Sequence, residues 1–543
     1  MTRLLFRRLR PLLLVFAGAL FALPLLFPAV SFLGFVLMIP ATRLIFPDYL
    51  NKEDSSPLRT YRDGFLLMSG FFLLVFHWFY GMYPLSFLGV FTPIEALGAI
   101  LLCHIGLSLL QSAFFALIFP LLYLVRKALP DRTVPYFLSP LFASLYTLAE
   151  WSQNLTWAGV PWGSLALGQY EDLAFLQWAS LFGSHYLSFI LVLVNGYFAT
   201  ACLTLNKARL SSFYKEKKPR VFATVALLVT LIHIGGGAIL YAVPKEESSS
   251  VRVGLLQLGI SSQGAGIVST YEAYLTGERL IKEGAENGVT VFVWSETAIA
   301  TNLITSPYAK MLSALSKEYG VTQYVGSFHN SGVGETFAHK NVLYRITPDG
   351  TVDSVRYEKR HLVPFGEYLP WRPFFEAVLP SLTKLLRDPE FTAGEDATVF
   401  QDGTASPGAL ICFDSIYPSL ATDSVKNGAD YLILSTNDSW FSGSLALYQH
   451  NGHAVLRAVE CGRTVARCAG TGISSFISAK GDILSVSKEN ESVCLVGDIS
   501  TYTDYTLYTC IGDLFILLNF LFVTLLPLSF FLCRRRKKKQ PSL

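Results

Sequence analysis

Apolar runs close to the length of a bilayer crossing recur eight times in this chain, more than one water-soluble core can absorb. A span needs ~20 mostly apolar residues, because lipid offers the backbone no hydrogen-bond partners. Candidates cover residues 11–27, 29–46, 64–82, 95–125, 134–151, 174–204 and 220–243, and an eighth covers 507–532. The first two are short and are parted by Pro24 and Pro28. The first also follows several Arg, as a signal peptide would. A second apolar run follows at once, so the first is read as a retained span. Composition agrees: 52% of the 543 residues are hydrophobic and only 15% are charged, against ~25% in soluble domains. The balance of 43 basic and 40 acidic residues is too even for a nucleic-acid binder.

Charge placement sets an expected orientation. Arg3, Arg7, Arg8 and Arg10 precede the first run, and the loops 43–62, 126–132 and 207–220 are basic, as is the tail Arg534–Lys539. The alternate loops 83–93 and 152–173 hold no Lys or Arg. Positive charge on every second loop marks the inner side. It puts both termini inside, in a cytoplasmic membrane, and the soluble stretch outside. The expected domains are seven spans over 1–243, an extracytoplasmic domain over 244–503, an eighth span over 504–533 and a basic cytoplasmic tail over 534–543. Trp151, Trp157 and Trp162 in the cation-free loop are expected at the outer interface.

The soluble stretch alternates strand-like and helix-like segments. Strands are expected at 251–260, 289–294, 323–328, 341–346, 352–357, 409–412 and 431–435, with further β-structure over 464–477 and 483–497. Helices are expected at about 269–286, 308–318, 418–427 and 447–461. This pattern predicts an α/β layered sandwich.

Three strand ends carry reactive side chains, a usual place for function in α/β folds. Glu296 follows Val289–Trp294, Lys359 follows Val352–Tyr357, and Cys412 ends Ala409–Cys412. A carboxylate, an ammonium and a thiol suit covalent acyl transfer: the thiol attacks a carbonyl, the carboxylate takes its proton, and the cation stabilises the oxyanion. A nearby cation would also lower the thiol pKa. Each residue taken alone has an ordinary explanation. A lone strand Cys is usually a small buried hydrophobe, Glu296 could cap a helix, and Lys359 could be a solvated hairpin charge.

Taken together, these segments resemble the nitrilase superfamily, which uses a Glu-Lys-Cys triad in this chain order. With seven spans before the domain and one after, nearly the full length resembles the apolipoprotein N-acyltransferase family. The stretches that carry the likeness are WSETA at 294–298, LVPFGEYLP at 362–370, TNDSWF at 436–441, QHNGHAVLRAVECGR at 449–463 and the loop Thr156–Gly163. The resemblance implies an αββα domain beside an α-helical transmembrane bundle of about eight spans. It implies Cys412 as nucleophile, Glu296 as general base and later acid, and Lys359 as oxyanion stabiliser. Glu367 would orient the lysine, and Phe413 and Asp414 would support the nucleophile. The implied partners are a phospholipid acyl donor and a diacylglyceryl apolipoprotein acceptor in the membrane, handled by a monomer with neither cofactor nor metal.

Some positions depart from the family pattern. Ser295 stands where Pro is common, and Phe413 and Asp414 stand where Tyr and Glu are common, which puts that glutamate's hydrogen bonds in question. The stretch 258–266 lacks an expected Trp. Several other features read as structural: His450 and His453 as polar helix-face residues rather than metal ligands, and Gly235–Gly237 as helix packing. Cys461 and Cys468 could form a disulfide. Two other functions stay open at this stage, a membrane-tethered amidase with water as acceptor, and a transporter or receptor with an inert outer domain. The few ionisable residues within the spans, such as Glu150 and His185, argue against transport.

Overall fold

The computed structural model describes residues 3–50, 56–85, 92–205, 217–260, 270–378, 390–401, 403, 405–441 and 443–539. Most of the cation-free loop 83–93, most of the basic loop 207–220 and most of the stretch 258–266 lie outside the described residues. The chain forms two compact units: residues 1–77, 101–243 and 511–543, and residues 78–100 with 244–510.

Six described stretches of the chain have the length and apolar character to cross a bilayer: Pro28–Ile45, Pro57–Met82, Pro93–Ala128, Ser184–Thr204, Lys217–Ala242 and Leu514–Cys533. Two of the eight expected spans fold as 19-residue helices, Arg3–Phe21 and Val134–Ser152, but are diluted by polar residues. The first carries Arg7, Arg8 and Arg10, and the second Ser139, Thr147 and Glu150. Proline and glycine shape the others. The expected span 29–46 is a 3-10 segment, Pro28–Phe35, followed by the helix Ile39–Ile45. The run 95–125 divides into Pro93–Phe115 and Ile118–Ala128. The run 174–204 becomes two single turns and then Ser184–Thr204, entered through Gly183 at φ +81°.

Small residues let the helices of the first unit approach closely. A Cβ on Gly18 would overlap the Leu67 carbonyl oxygen, and one on Gly70 would overlap that of Val15. The helices Arg3–Phe21 and Pro57–Val75 therefore meet backbone to backbone, and Gly70→Leu is expected to destabilise the protein by about 1–3 kcal/mol through overpacking. The thermal midpoint in detergent would show it; an unchanged midpoint would mean the helices part freely. The expected packing role of Gly235–Gly237 holds at two positions, since a Cβ on Gly237 would overlap the Ala174 carbonyl and one on Gly236 would press on Trp178.

One tryptophan of the cation-free loop differs from expectation. Trp162 is fully buried, because polar anchors fold the loop back into its own unit. The Glu150 carboxylate accepts from Leu165 N at 2.8 Å, and Gln153 Nε2 donates to Gln111 Oε1 at 2.7 Å.

The second unit is a two-sheet sandwich. Its strands are β1 (Ser249–Gln257), β2 (Val291–Trp294), β3 (Ile299–Asn302), β4 (Thr322–Ser331), β5 (Ala338–Ile346), β6 (Val352–Glu358), β7 (Pro407–Ile411), β8 (Tyr431–Thr436), β9 (Val465–Ala469), β10 (Ser475–Ile477), β11 (Ile483–Val486) and β12 (Val493–Thr501). One sheet runs β12-β1-β2-β4-β5-β6, with β3 also paired to β4, and the other runs β11-β10-β9-β8-β7. The strand period of two divides the core. Val253, Leu255, Val291 and Val293 enter the space between the sheets, where they meet Ile411, Ile433 and Phe476. Leu256, Phe292 and Trp294 point the other way, against Leu280 and Ile281 of the helix Thr270–Glu286 and Leu312 of the helix Pro307–Tyr319. The helices Pro418–Lys426 and Ala446–Cys461 cover the second sheet. The layers are therefore helix, sheet, sheet, helix. The central strands β1, β2 and β4 are parallel to one another, as are β7, β8 and β9. Residues just past the ends of parallel neighbours share one edge. Residues 78–100 group with this unit, and Trp78 packs edge-on to Phe441 at 5.1 Å.

Candidate active site

Four strand ends of the second unit supply the site. Glu296 lies two residues past β2, Lys359 directly follows β6, Cys412 directly follows β7, and Asn437 directly follows β8. Glu296 and Lys359 are buried, with 8% and 2% exposure. A charge this deep persists only if paired. Lys359 Nζ donates to Glu296 Oε1 at 3.0 Å and to Glu367 Oε1 at 2.8 Å. The structure thus brings together Glu296, Lys359 and Glu367, and Cys412 lies within the field of the first two.

The surroundings hold these groups firmly. Glu296 Oε2 accepts from Asn437 N at 2.8 Å, and Glu367 Oε2 accepts from Val363 N at 2.8 Å. Asn341 Nδ2 donates to Glu296 Oε1 at 2.7 Å and to Glu367 Oε1 at 3.5 Å. One buried amide thus sits between two carboxylates that would otherwise repel. Strain also gathers here. Among described non-glycine residues with positive φ are Thr297 at +51°, Phe365 at +62° and Cys412 at +49°. Such conformations cost of order 1–3 kcal/mol each and persist only where the surroundings enforce them.

The electrostatics assign different tasks to the groups. Burial alone would strip the proton from Lys359. Glu296 and Glu367 outweigh it and hold the ammonium well above the usual lysine range. Lys359 is therefore a cation and not a base. Burial pushes the Cys412 thiol up, Glu296 adds to that, and Lys359 does not offset them. Lys359 does pull the thiol down, as expected of a nearby cation, but desolvation of the thiolate is the larger effect. A thiol that keeps its proton needs a base at the moment of attack.

Asp414 occupies the position where the shorter side chain left the family glutamate's contacts in question. It is fully buried and accepts from Tyr357 Oη at 2.8 Å, His361 N at 2.7 Å and Ile411 N at 3.0 Å. It ties the end of β7 to the segment carrying Lys359. Phe413 packs edge-on to Tyr417 at 5.6 Å and lies 5.9 Å from His361, which stacks on Tyr417 at 3.6 Å.

Burial raises the Asp414 carboxyl to about 6. Burial, with the Lys359 charge, lowers His361 to about 4. The two act oppositely on stability. The Asp414 contribution is complete below ~3.9 and is lost as pH rises through about 6, whereas the His361 contribution is present above ~6.5 and is lost as pH falls through about 4. Asp414→Asn is expected to leave stability rising from pH 4 to 6.5, and His361→Phe to leave it falling, each by of order 1 kcal/mol per pH unit. Denaturant titrations of the whole protein across that range would show the opposite slopes; parallel profiles would rule the pairing out.

Residues the sequence reading missed complete the site. Asn341 was visible only as a polar residue opening an apolar strand. Asn437 and Asp438 lie in TNDSWF, directly after β8. His450 and His453, read as polar helix-face residues, are both buried, because the helix packs under the Cys412 turn. Cys461 and Cys468 are buried free thiols.

Two family models match the chain. One describes a carbon-nitrogen hydrolase and spans residues 252–504. The other describes the apolipoprotein N-acyltransferase N-terminal domain and spans 17–197. The apolipoprotein N-acyltransferase of Geobacter metallireducens is 29% identical over 93% of this chain and 92% of its own length. That of Synechocystis sp. is 27% identical over 82% and 85%. Among solved structures, Saccharomyces cerevisiae Nit3, of the nitrilase superfamily, is 20% identical and covers 48% of this chain and 93% of its own, with a TM-score of 0.36.

Proposed function

The chain belongs to the apolipoprotein N-acyltransferase family, and we propose that it moves an acyl chain from a phospholipid, through a Cys412 thioester, to the N-terminal amine of a diacylglyceryl apolipoprotein. The observation that carries this reading is the lysine held between two glutamates beside a protonated thiol. In the first half-reaction, Cys412 Sγ attacks the ester carbonyl of the donor while Glu296 takes the thiol proton. Lys359 stabilises the developing oxyanion. Collapse of the tetrahedral intermediate breaks the ester bond, and Glu296 returns the proton to the departing lysophospholipid oxygen. In the second half-reaction the amine attacks the thioester, Glu296 accepts the amine proton, and the thiol is regenerated. Glu367 orients Lys359 in both steps.

A thioester is activated enough for attack by an amine, which makes two modest barriers of one large one. Both proposed substrates are membrane-anchored lipids, and the chain's own spans confine the catalytic unit to the membrane that holds them. Alternating basic loops support placement in a bacterial inner membrane with the catalytic unit outside and both termini cytoplasmic. We assign it as a monomer without cofactor.

Acyl trapping tests the reading. Purified protein given phospholipid labelled in its acyl chain, without acceptor, should acquire a hydroxylamine-sensitive label on Cys412 and release one lysophospholipid per label. Addition of a diacylglyceryl peptide with a free amine should then move the label onto that amine. Release of free fatty acid at the same rate with and without peptide would favour a water-accepting amidase instead.

A further inference from the structure

Beside Cys412 lies a second buried cluster with no role in the mechanism above. Asp438, His450 and Arg467 are each at most 1% exposed. Asp438 Oδ1 pairs with His450 Nδ1 at 2.9 Å, and its Oδ2 accepts from Arg467 Nη2 at 2.8 Å. Burial would raise this carboxyl, but Arg467 and His450 hold it well below the usual carboxylate range. The far ring nitrogen, His450 Nε2, lies 3.2 Å from the Cys412 carbonyl oxygen and 3.1 Å from Ser415 Oγ. Ser415 Oγ itself donates to that carbonyl at 2.8 Å. On the thiol side, the Thr436 hydroxyl hydrogen-bonds both Asp438 and the Cys412 side chain.

The consequence lies in the peptide plane. In a trans peptide the C=O of residue 412 and the N–H of residue 413 point in opposite directions. A Cys412 carbonyl held toward His450 and Ser415 therefore aims the Phe413 N–H away from the cluster. Cys412 sits at φ +49°, a conformation a cysteine does not adopt unaided, so the turn needs an anchor. A buried ion pair is a costly anchor, and an apolar residue could fill the space but could not grip a carbonyl.

We propose that His450, backed by Asp438 and Arg467, is a positioning residue: it fixes the Cys412 carbonyl so that the Phe413 N–H joins Lys359 in facing the oxyanion. The proposal rests on the thioester mechanism above. His450 does not touch the substrate; it acts through the 412–413 peptide.

The test separates this role from general support of the fold. Thioester formation from labelled phospholipid is measured for wild type, His450→Ala and His450→Gln, alongside alkylation of Cys412 by iodoacetamide, which forms no oxyanion. His450→Ala should slow thioester formation about 100-fold, the size of effect seen on losing one oxyanion donor, with KM for the donor changed less than about 3-fold on the same grounds. Alkylation should stay near the wild-type rate, and His450→Gln, which can still donate to the carbonyl, should recover at least a tenth of wild-type activity. Loss of alkylation in parallel with activity would overturn the proposal in favour of a collapsed site, as would a His450→Gln rate no better than that of His450→Ala. Thioester formation by His450→Ala at the wild-type rate would overturn it alone. Absence of a thioester in wild type would instead remove the mechanism on which it rests.

Discussion

Cys412→Ser is expected to fold and to lose N-acylation by about 10⁴-fold or more, the scale seen when a covalent nucleophile is removed. Serine fits the space of the cysteine and meets the same demand at φ +49°, so the thermal midpoint should stay within a few degrees. The chemistry changes more than the shape. A hydroxyl is a far weaker acid than a thiol, so Glu296 would have to remove a much less acidic proton. Any ester formed would be less activated toward the amine than a thioester. The hydroxylamine-sensitive label should vanish from the variant. A Cys412→Ser protein that N-acylates at the normal rate would end the covalent mechanism.

Lys359→Met should damage both stability and catalysis. Glu296 and Glu367 converge on one ammonium that is 2% exposed. Removing it leaves two buried carboxylates facing each other, and breaking a buried ion pair this way costs about 3–5 kcal/mol. The transition-state oxyanion also loses its cation, which costs about 10²–10³-fold or more in rate. The double variant Lys359→Met with Glu367→Gln separates the two effects. Neutralising one carboxylate should restore much of the stability and none of the activity. The pH dependence has a definite sign. The folded state holds the Lys359 proton well above the usual range, so its contribution is complete below the unfolded value of ~10.4 and is lost only as pH rises through the higher folded value. The stability gap between wild type and Lys359→Met should therefore stay constant from neutral to mildly alkaline pH and close only at strongly alkaline pH. A gap that closes near pH 7 would mean that the lysine is not clamped.

The site was legible where chemistry follows a strand. Glu296, Lys359 and Cys412 each come within two residues of an expected strand, and the structure gathers the first two at hydrogen-bond distance. Glu367 was legible only through its PFGEY setting. Asn341 was hidden, because one asparagine among strand residues looks like any edge polar group until its two carboxylate neighbours are known. The depth of His450 was hidden for a related reason. A histidine at helical spacing from another reads as a polar helix-face residue, and only the packing of Ala446–Cys461 beneath the Cys412 turn buries it beside Asp438 and Arg467. The net direction of the thiol pKa was not legible, because the sequence names a cation nearby but not the depth at which both groups sit.

The membrane half shows the same division. Long apolar runs announce spanning helices, since lipid leaves the backbone few alternatives. The breaks at Pro28–Phe35 and after Phe115, and the inward fold of the loop around Trp162, depend on which neighbours supply hydrogen bonds and room.

The sequence by itself determined the solvent of each half, the order of strands and helices, and the three residue types proposed to perform the chemistry. These follow from local patterns of hydropathy and from groups whose reactivity belongs to the side chain. Only the tertiary structure decided which carboxylates share the lysine, which way the thiol's acidity moves, and what grips the Cys412 turn. Those depend on distance and desolvation between residues up to 141 positions apart, as with Glu296 and Asn437, and no local pattern encodes them.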